Sequence, residues 1–314
     1  MGSIDLHTHS TVSDGTYTPA DLARLARTRG LRTFSLTDHD NVSGLNEAEA
    51  AAKAEGVELI PGMELTVDFA GHKLHVVALG FERTLPVFQE FYRAVRESKE
   101  AGMAELIAGI REKGVDITAE KVQAMTAGKL DRYAVMRYLV SLRISEWVQP
   151  LWDEYLDPVL VKIGGCENVP AAEAFAAIHA AGGVTSLAHF HKKIGLLGMR
   201  REQQAEVIAA LHQAGLDGME GWYPSYTVED SAFVEAMTTR LGLIRTGGTD
   251  FHGATAPVWS WGRVGIIILP SRRKRWPACG RRLPKPIGAP GYSRTGNVGQ
   301  VFQTGEILCS AEPF

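Results

Sequence analysis

The stretch IDLHTHSTVSDG, residues 4–15, sets His7, His9 and Asp14 within eight positions directly behind an apolar start. In an extended strand, residues i and i+2 project to the same side, so His7 and His9 can address one point in space. An HxH pair alone reads more readily as two satisfied polar residues, and Ser13-Asp14-Gly15 is also good turn chemistry. The reading therefore turns on whether side chains of the same type recur at other strand ends.

They do recur. TFSLTDHDN ends in Asp38, His39 and Asp40, PGMEL carries Glu64, KLHVV carries His75, SLAHF carries His189, and GTDFHG carries Asp250 and His252. Candidate strands IDLHT, TFSLT, VELIPGME, LHVVALGF, GGVTSLAH, LDGMEGWY and LIRTGGTD alternate with helical patterns, which indicates βα units around a largely parallel sheet. The first helix has the clearest ends: in TPADLARLARTRG, Thr18 suits the cap, Pro19 the first turn, Asp21 the reciprocal cap partner and Gly30 the stop. In a (β/α) barrel the strand C-termini converge on one face, so residues distant in sequence meet there. Imidazole and carboxylate without thiolate suit Mn2+, Fe2+ or Zn2+, with Mg2+ also open, and a carboxylate can bridge two ions.

The βα rhythm breaks twice. Residues 64–69 and 74–79 flank AGHK and read as a β-hairpin. From 84 to 166 helical patterns such as FYRAVRESKEAGMAELIAGIREKG and DRYAVMRYLVSL take over, which reads as an inserted helical cap. The expected domains are a discontinuous body, 1–83 and 167–270, the cap, 84–166, and a basic Pro/Gly-rich tail, 271–314, read as a poorly ordered extension.

Together DLHTHSTVSDG, LTDHDN, PGMEL, His75, GGVTSLAH and GTDFHG resemble the motifs of the PHP (polymerase and histidinol phosphatase) family of metal-dependent phosphoesterases. The likeness is greatest to its stand-alone, 3′,5′-nucleoside bisphosphate phosphatase-like branch, and it covers residues 3–82 and 168–268. It implies an α/β fold, a distorted (β/α)7 barrel, holding two or three divalent ions, Mn2+ foremost. Carried over position by position, it implies that His7, His9, Glu64 and Asp250 hold one ion and that Asp14, His39 and His252 hold a second. Glu64 would bridge to a third ion held by His75 and His189. The implied chemistry is attack on a phosphate ester by a hydroxide bridging the metals, with no protein nucleophile. Two departures bear on substrate: FHKKIG follows His189 where relatives commonly have Pro, and GKLDRYAVMRYL replaces an RPH-type stretch. Lys129, Arg132, Arg137, His191 and Lys192 are the candidate substrate contacts.

Composition sets the outer bounds. The chain has 314 residues, 45% hydrophobic and 22% charged, with no apolar run long enough to span a bilayer, so a soluble enzyme without membrane attachment is expected. Cys166, Cys279 and Cys309 form neither a disulfide framework nor a CxxC site, and no targeting segment precedes Ile4, which points to the cytoplasm. The tail holds eight Lys or Arg against two Glu, leaving an acidic body that argues against a broad duplex-binding face. Asp5, Asp38 and Asp40 are expected to support ligands or cap strand ends, and His72, His179 and His212 to lie outside the site. Arg93, Arg96, Lys99 and Arg111 read as a solvated helix face, and Tyr133, Tyr138, Trp147, Trp152 and Tyr155 as core packing more than base stacking. Three functions compete. One is a phosphatase of a nucleotide or related small metabolite, another a 5′–3′ exonuclease on short single-stranded RNA or DNA, and the third a non-catalytic, metal-stabilised module contacting partners through residues 272–275. No obligate protein partner is implied.

Overall fold

The hairpin forms around Ala70 and Gly71, both at positive φ (49° and 80°), the pairing that a two-residue turn between twisted strands requires. It joins β3 (Glu58–Phe69) antiparallel to β4 (His72–Leu79), with Phe69 opposite His72. Thus β3 is one twelve-residue strand containing both VELIPGME and the first arm of the expected hairpin. The chain is described here by a computed structural model at residues 3–125, 130–162 and 168–253. Lys129, the three cysteines and the 271–314 tail with its Arg run lie outside the described residues.

Five further strands complete the path: β1 (Ser3–Thr8), β2 (Leu31–Leu36), β6 (Val184–Leu187), β7 (Gly218–Trp222) and β8 (Ile244–Gly247). Their order is β1-β2-β3-β4-β6-β7-β8, and a two-residue β5 (Val169–Pro170) pairs with β3. Neighbours run parallel except on both sides of β4. The first strand also meets the segment after the last one: Thr8 bridges Phe251, and the His9 N–H donates to the Phe251 carbonyl at 2.8 Å. The result is an α/β fold with a central sheet.

Alternation divides β4 between two environments. Leu74, Val76 and Ala78 enter the main core with Phe34, Met63, Leu65 and Val67, while Val77 and Leu79 pack with Leu6 and Ala188. His75 and Lys73 therefore share the Val77 face. On the other side of the main core lie helices including α1 (Pro19–Thr28), α2 (Leu45–Glu55), α9 (Ala171–Ala180), α10 (Arg201–Ala214) and α11 (Val228–Leu241), through Leu22, Ala48, Ile178, Ile208 and Val234. Helix α1 begins as expected, with the Asp21 N–H donating to Thr18 Oγ1 at 3.1 Å.

Between β4 and β5 the chain is helical: α3 (Pro86–Glu100), α4 (Met103–Glu112), α5 (Ala119–Gln123), α6 (Arg132–Ser141), α7 (Val148–Leu151), a π-helical turn (Trp152–Leu156) and α8 (Asp157–Lys162). These elements carry a separate core including Leu106, Ile110, Val135, Leu139 and Leu156. The long pattern FYRAVRESKEAGMAELIAGIREKG is two helices, divided at Gly102. The solvated face also needs correction. Lys99 is 1% exposed, with Nζ 3.4 Å from Asp40 Oδ2, and Arg96 Nη2 donates to Asp131 Oδ2 at 2.8 Å. Helical periodicity identifies a face but not what later covers it. Of the aromatic residues, Tyr133 and Tyr138 are buried, Tyr155 packs against the second core and Trp147 is half exposed.

Candidate metal centre

His7 and His9 leave β1 on the same side, as alternation requires, and both reach two carboxylates. His7 Nε2 lies 3.2 Å from Glu64 Oε2 and 3.4 Å from Asp250 Oδ1; His9 Nε2 lies 3.2 and 3.1 Å from the same two atoms. Glu64 arrives from β3, and Asp250 from the loop after β8. That loop lies against β1 because position 248 is glycine, where a Cβ would collide with the His7 Cβ and backbone. Asp250 itself adopts φ 52°, a left-handed conformation that aspartate tolerates better than most residues.

Asp14 gathers a second group: its oxygens lie 3.3 Å from His252 Nε2, 3.6 Å from His39 Nε2 and 3.7 Å from His9 Nδ1. A third group surrounds Glu64, whose Oε1 is 2.9 Å from both His75 Nδ1 and His189 Nε2, while His39 Nδ1 is 3.0 Å from Oε2. Three sets offer donor atoms mutually within 4.8 Å: His7, His9, Glu64 and Asp250; His9, Asp14, His39 and His252; and His39, Glu64 and His75. Relative to the implied partition, His9 also joins the second set. His39 stands in the third, with His189 3.4 Å from His75.

The protein atoms fit a cation. His7 Nε2, His9 Nε2, Asp14 Oδ1, His39 Nδ1 and Glu64 Oε2 are buried without a hydrogen-bond partner in the protein. Orphaned polar atoms are costly to bury, and so many in one cluster favour an ion as their shared partner. Nitrogen and oxygen donors without sulfur suit a divalent ion of hard or borderline character.

Electrostatics agree. Burial pushes the Glu64 carboxyl up, but the imidazoles of His75, His39 and His7 outweigh it and hold the group well below its ordinary range. Asp250 is likewise held well down against burial by Lys192, His7 and His252, and Asp14 by His252 and His39. Burial would lower His9, yet Asp250 and Glu64 raise it to about 10, whereas for His39 burial prevails and takes it down to about 3. The carboxylates stay ionised at neutral pH, and the cluster must hold protons or a cation in compensation.

A supporting layer orients these groups. His7 Nδ1 lies 2.8 Å from Glu220 Oε1, which leaves Nε2 to face the cluster when Nδ1 carries the proton. Asp5 accepts from the His7 and Thr249 N–H groups and from Thr249 Oγ1. Asp38 accepts from Ser10 N–H, Ser10 Oγ and Ser13 Oγ, fixing the loop that carries Asp14. Tyr223 donates to Asp250 Oδ2 at 2.7 Å. Sequence reasoning anticipated Asp5, Asp38 and Asp40 but missed Glu220 and Tyr223. The signal available for Glu220 was an acid in the middle of the strand GMEGW, between residues without charge.

Above the cluster lies a cavity of about 520 Å³. Its floor includes Asp14, His39, His75, His189, Asp250 and His252; Val148, Trp152, Leu160, Ile194 and Leu197 form apolar wall. Among the candidate substrate contacts, His191 and Lys192 line it, Lys192 Nζ lying 3.2 Å from Asp250 Oδ2 and His191 Nε2 2.7 Å from Ser225 Oγ. Arg132 reaches the lining but is 4% exposed, its Nη2 donating to Asp40 Oδ2 at 2.9 Å and Thr66 Oγ1 at 3.1 Å. Arg137 is not among the lining residues and turns to the carbonyls of Val12 and Ser13. Between them Tyr133 stacks on His39 at 5.0 Å and 3°, so α6 braces the loops that carry Asp14 and His39.

The chain is similar to known proteins in sequence and in fold. The chain is 30% identical over 249 residues to a 5′-3′ exoribonuclease of Haemophilus influenzae, covering 79% of this chain and 89% of that one. It is 28% identical over 254 residues to a 3′,5′-nucleoside bisphosphate phosphatase of Chromobacterium violaceum, covering 80% and 88%. A solved structure from Bifidobacterium adolescentis, assigned as a metal-dependent phosphoesterase, superposes with a TM-score of 0.71 at 26% identity, covering 82% and 90%. The PHP domain family matches residues 5–230. With its histidines and carboxylates grouped to bind metal, the chain belongs to the PHP domain family and is a metal-dependent phosphoesterase, a hydrolase of phosphate esters.

Proposed function

We propose that this phosphoesterase removes phosphate from a nucleotide, a 3′,5′-nucleoside bisphosphate being the type substrate, or from a related small phosphorylated metabolite. The observation that carries this reading is the placement of the donor clusters on the floor of a cavity of about 520 Å³, within the range of small-molecule sites. The Chromobacterium violaceum relative supports the choice of nucleotide.

In this reading the sheet closes as a distorted barrel, with the Thr8–Phe251 bridge as its seam, and residues 84–166 form a cap over the strand ends. His7, His9, Glu64 and Asp250 hold one divalent ion, Asp14, His39 and His252 a second, and Glu64, His75 and His189 a third, with Mn2+ the preferred occupant. When bound, such ions acidify water and neutralise phosphoryl oxygens. Lys192, beside Asp250 at the cavity wall, orients the phosphoryl group, and His191 meets the substrate on the same side. The apolar wall at Val148, Trp152 and Leu160 excludes water from the organic part of the substrate.

The Haemophilus influenzae relative supports a second reading, trimming of short single-stranded oligonucleotides. Phosphate and nucleotide release by the manganese-loaded chain, compared across bisphosphates, monophosphates and oligonucleotides of increasing length, separates the two. Release from bisphosphates that falls away with chain length supports the first; equal turnover of a dinucleotide and a long strand replaces it with the second.

A further inference from the structure

Four cations line the cavity, Lys73, Arg132, Lys192 and Lys193. Three are engaged. Arg132 donates to Asp40 at 2.9 Å, Lys192 lies 3.2 Å from Asp250, and Lys193 lies 2.7 Å from Asp153 and 3.1 Å from Asp157. Lys73 makes no hydrogen bond or ion pair among the described residues.

The backbone explains where this ammonium sits. Lys73 and His75 are two apart in β4, on the same face, which separates their Cα atoms by about 7 Å along the strand. Lys73 thus stands one rung outward from the donor cluster. Directly across the ladder is Asp68, the expected cross-strand partner for a lysine, yet its Oδ1 accepts from Asn168 Nδ2 at 3.2 Å. Lys73 is exposed at the cavity, so its ammonium is open to an arriving anion, and the acids that act on it at longer range are Asp157, which also lines the cavity, Asp40 and Asp68.

We propose that Lys73 is a specificity-determining residue whose ammonium binds a second anionic group of the substrate, a phosphate that is retained while the one at the metal cluster is removed. This deepens the small-phosphoester reading and rests on it. The organic body of the substrate bridges the two ends along the Trp152 wall. The enzyme accordingly prefers small molecules phosphorylated at two positions to those phosphorylated at one.

The test compares the full-length wild type with Lys73→Gln and Lys73→Arg, manganese-loaded, on matched ligands. For adenosine 3′,5′-bisphosphate, Lys73→Gln raises KM about tenfold, as expected for loss of a charge-assisted hydrogen bond, while Lys73→Arg restores most of it. For whichever adenosine monophosphate, 3′ or 5′, is turned over at the metal cluster, both variants stay within about twofold of wild type, because no second phosphate reaches Lys73. A parallel calorimetric comparison uses propane-1,3-bisphosphonate and propylphosphonate, whose carbon–phosphorus bonds resist hydrolysis. Lys73→Gln weakens the first selectively if the assignment holds. An equal effect on both ligands, or none on either, overturns it. The phosphonate comparison needs no turnover, so failure to release phosphate from any ester would remove the proposed activity and still leave Lys73 to be judged by binding.

Discussion

Glu220 Oε1 lies 2.8 Å from His7 Nδ1, and its other carboxylate oxygen accepts the His189 N–H at 2.6 Å. One buried acid on β7 therefore sets both the ring of a candidate ligand on β1 and the backbone of another after β6. Replacing it with glutamine keeps the volume but weakens the hold on the His7 ring. Glu220→Gln is expected to lower Mn2+ affinity by about 10- to 100-fold while the chain remains folded. Calorimetric metal titration alongside circular dichroism checks this; unchanged affinity would refute the orienting role.

Asp40 is a buried junction. Its Oδ2 meets Arg132 Nη2 at 2.9 Å and Lys99 Nζ at 3.4 Å, and burial notwithstanding, these two cations hold its carboxyl down to about 2. Asp40→Asn leaves both cations beside a neutral amide and should cost about 3 kcal/mol, the loss typical of one partner removed from a buried ion pair. Urea unfolding measures it. A change within error would mean that Asp40 does not hold α3 and α6 to the strand ends.

Metal binding should itself stabilise the fold. At a free concentration about a hundredfold above Kd, a ligand specific to the native state adds about 2.7 kcal/mol. Manganese is expected to raise the melting temperature, a chelator to reverse the shift, and His9→Ala to blunt it, since His9 contributes to two of the donor sets. A shift of full size in that variant would place the ion elsewhere.

The start of α11 supplies a pH dependence. Thr227 and Asp230 cap each other reciprocally, and Arg201 from α10 pairs with the same carboxylate. Burial raises Asp230, but Arg201 and Thr227 prevail and hold it below its ordinary 3.8. A depressed carboxyl contributes stability above its unfolded value and loses it as pH falls through the folded one. Asp230→Asn should therefore cost about 1 kcal/mol near neutrality. The deficit should shrink below about pH 4, as urea denaturation across pH would show.

Local spacing made much of this legible. His7 and His9 share a side because a strand repeats every two residues, and α1 starts at Pro19 because Thr18 and Asp21 satisfy its first free N–H groups. The hairpin follows from the turn at Ala70 and Gly71, where glycine accepts the positive φ freely and alanine is held there by the paired strands. Arg96, Lys99, Arg132 and Arg137 were harder to place, because a long cation reads the same whether it ends in water or against a carboxylate brought from far along the chain.

By itself the sequence determined the inventory: which side chains carry chemistry, that they stand at strand ends, and which family they resemble. Only the tertiary structure decided that Glu220 supports His7 across 213 positions, that Arg132 and Arg137 brace the loops, and that Lys73 faces the cavity with no hydrogen bond or ion pair among the described residues. The physical reason is that backbone periodicity is set by neighbouring residues, whereas the pairing of buried charges depends on which elements come to lie side by side once the core has closed.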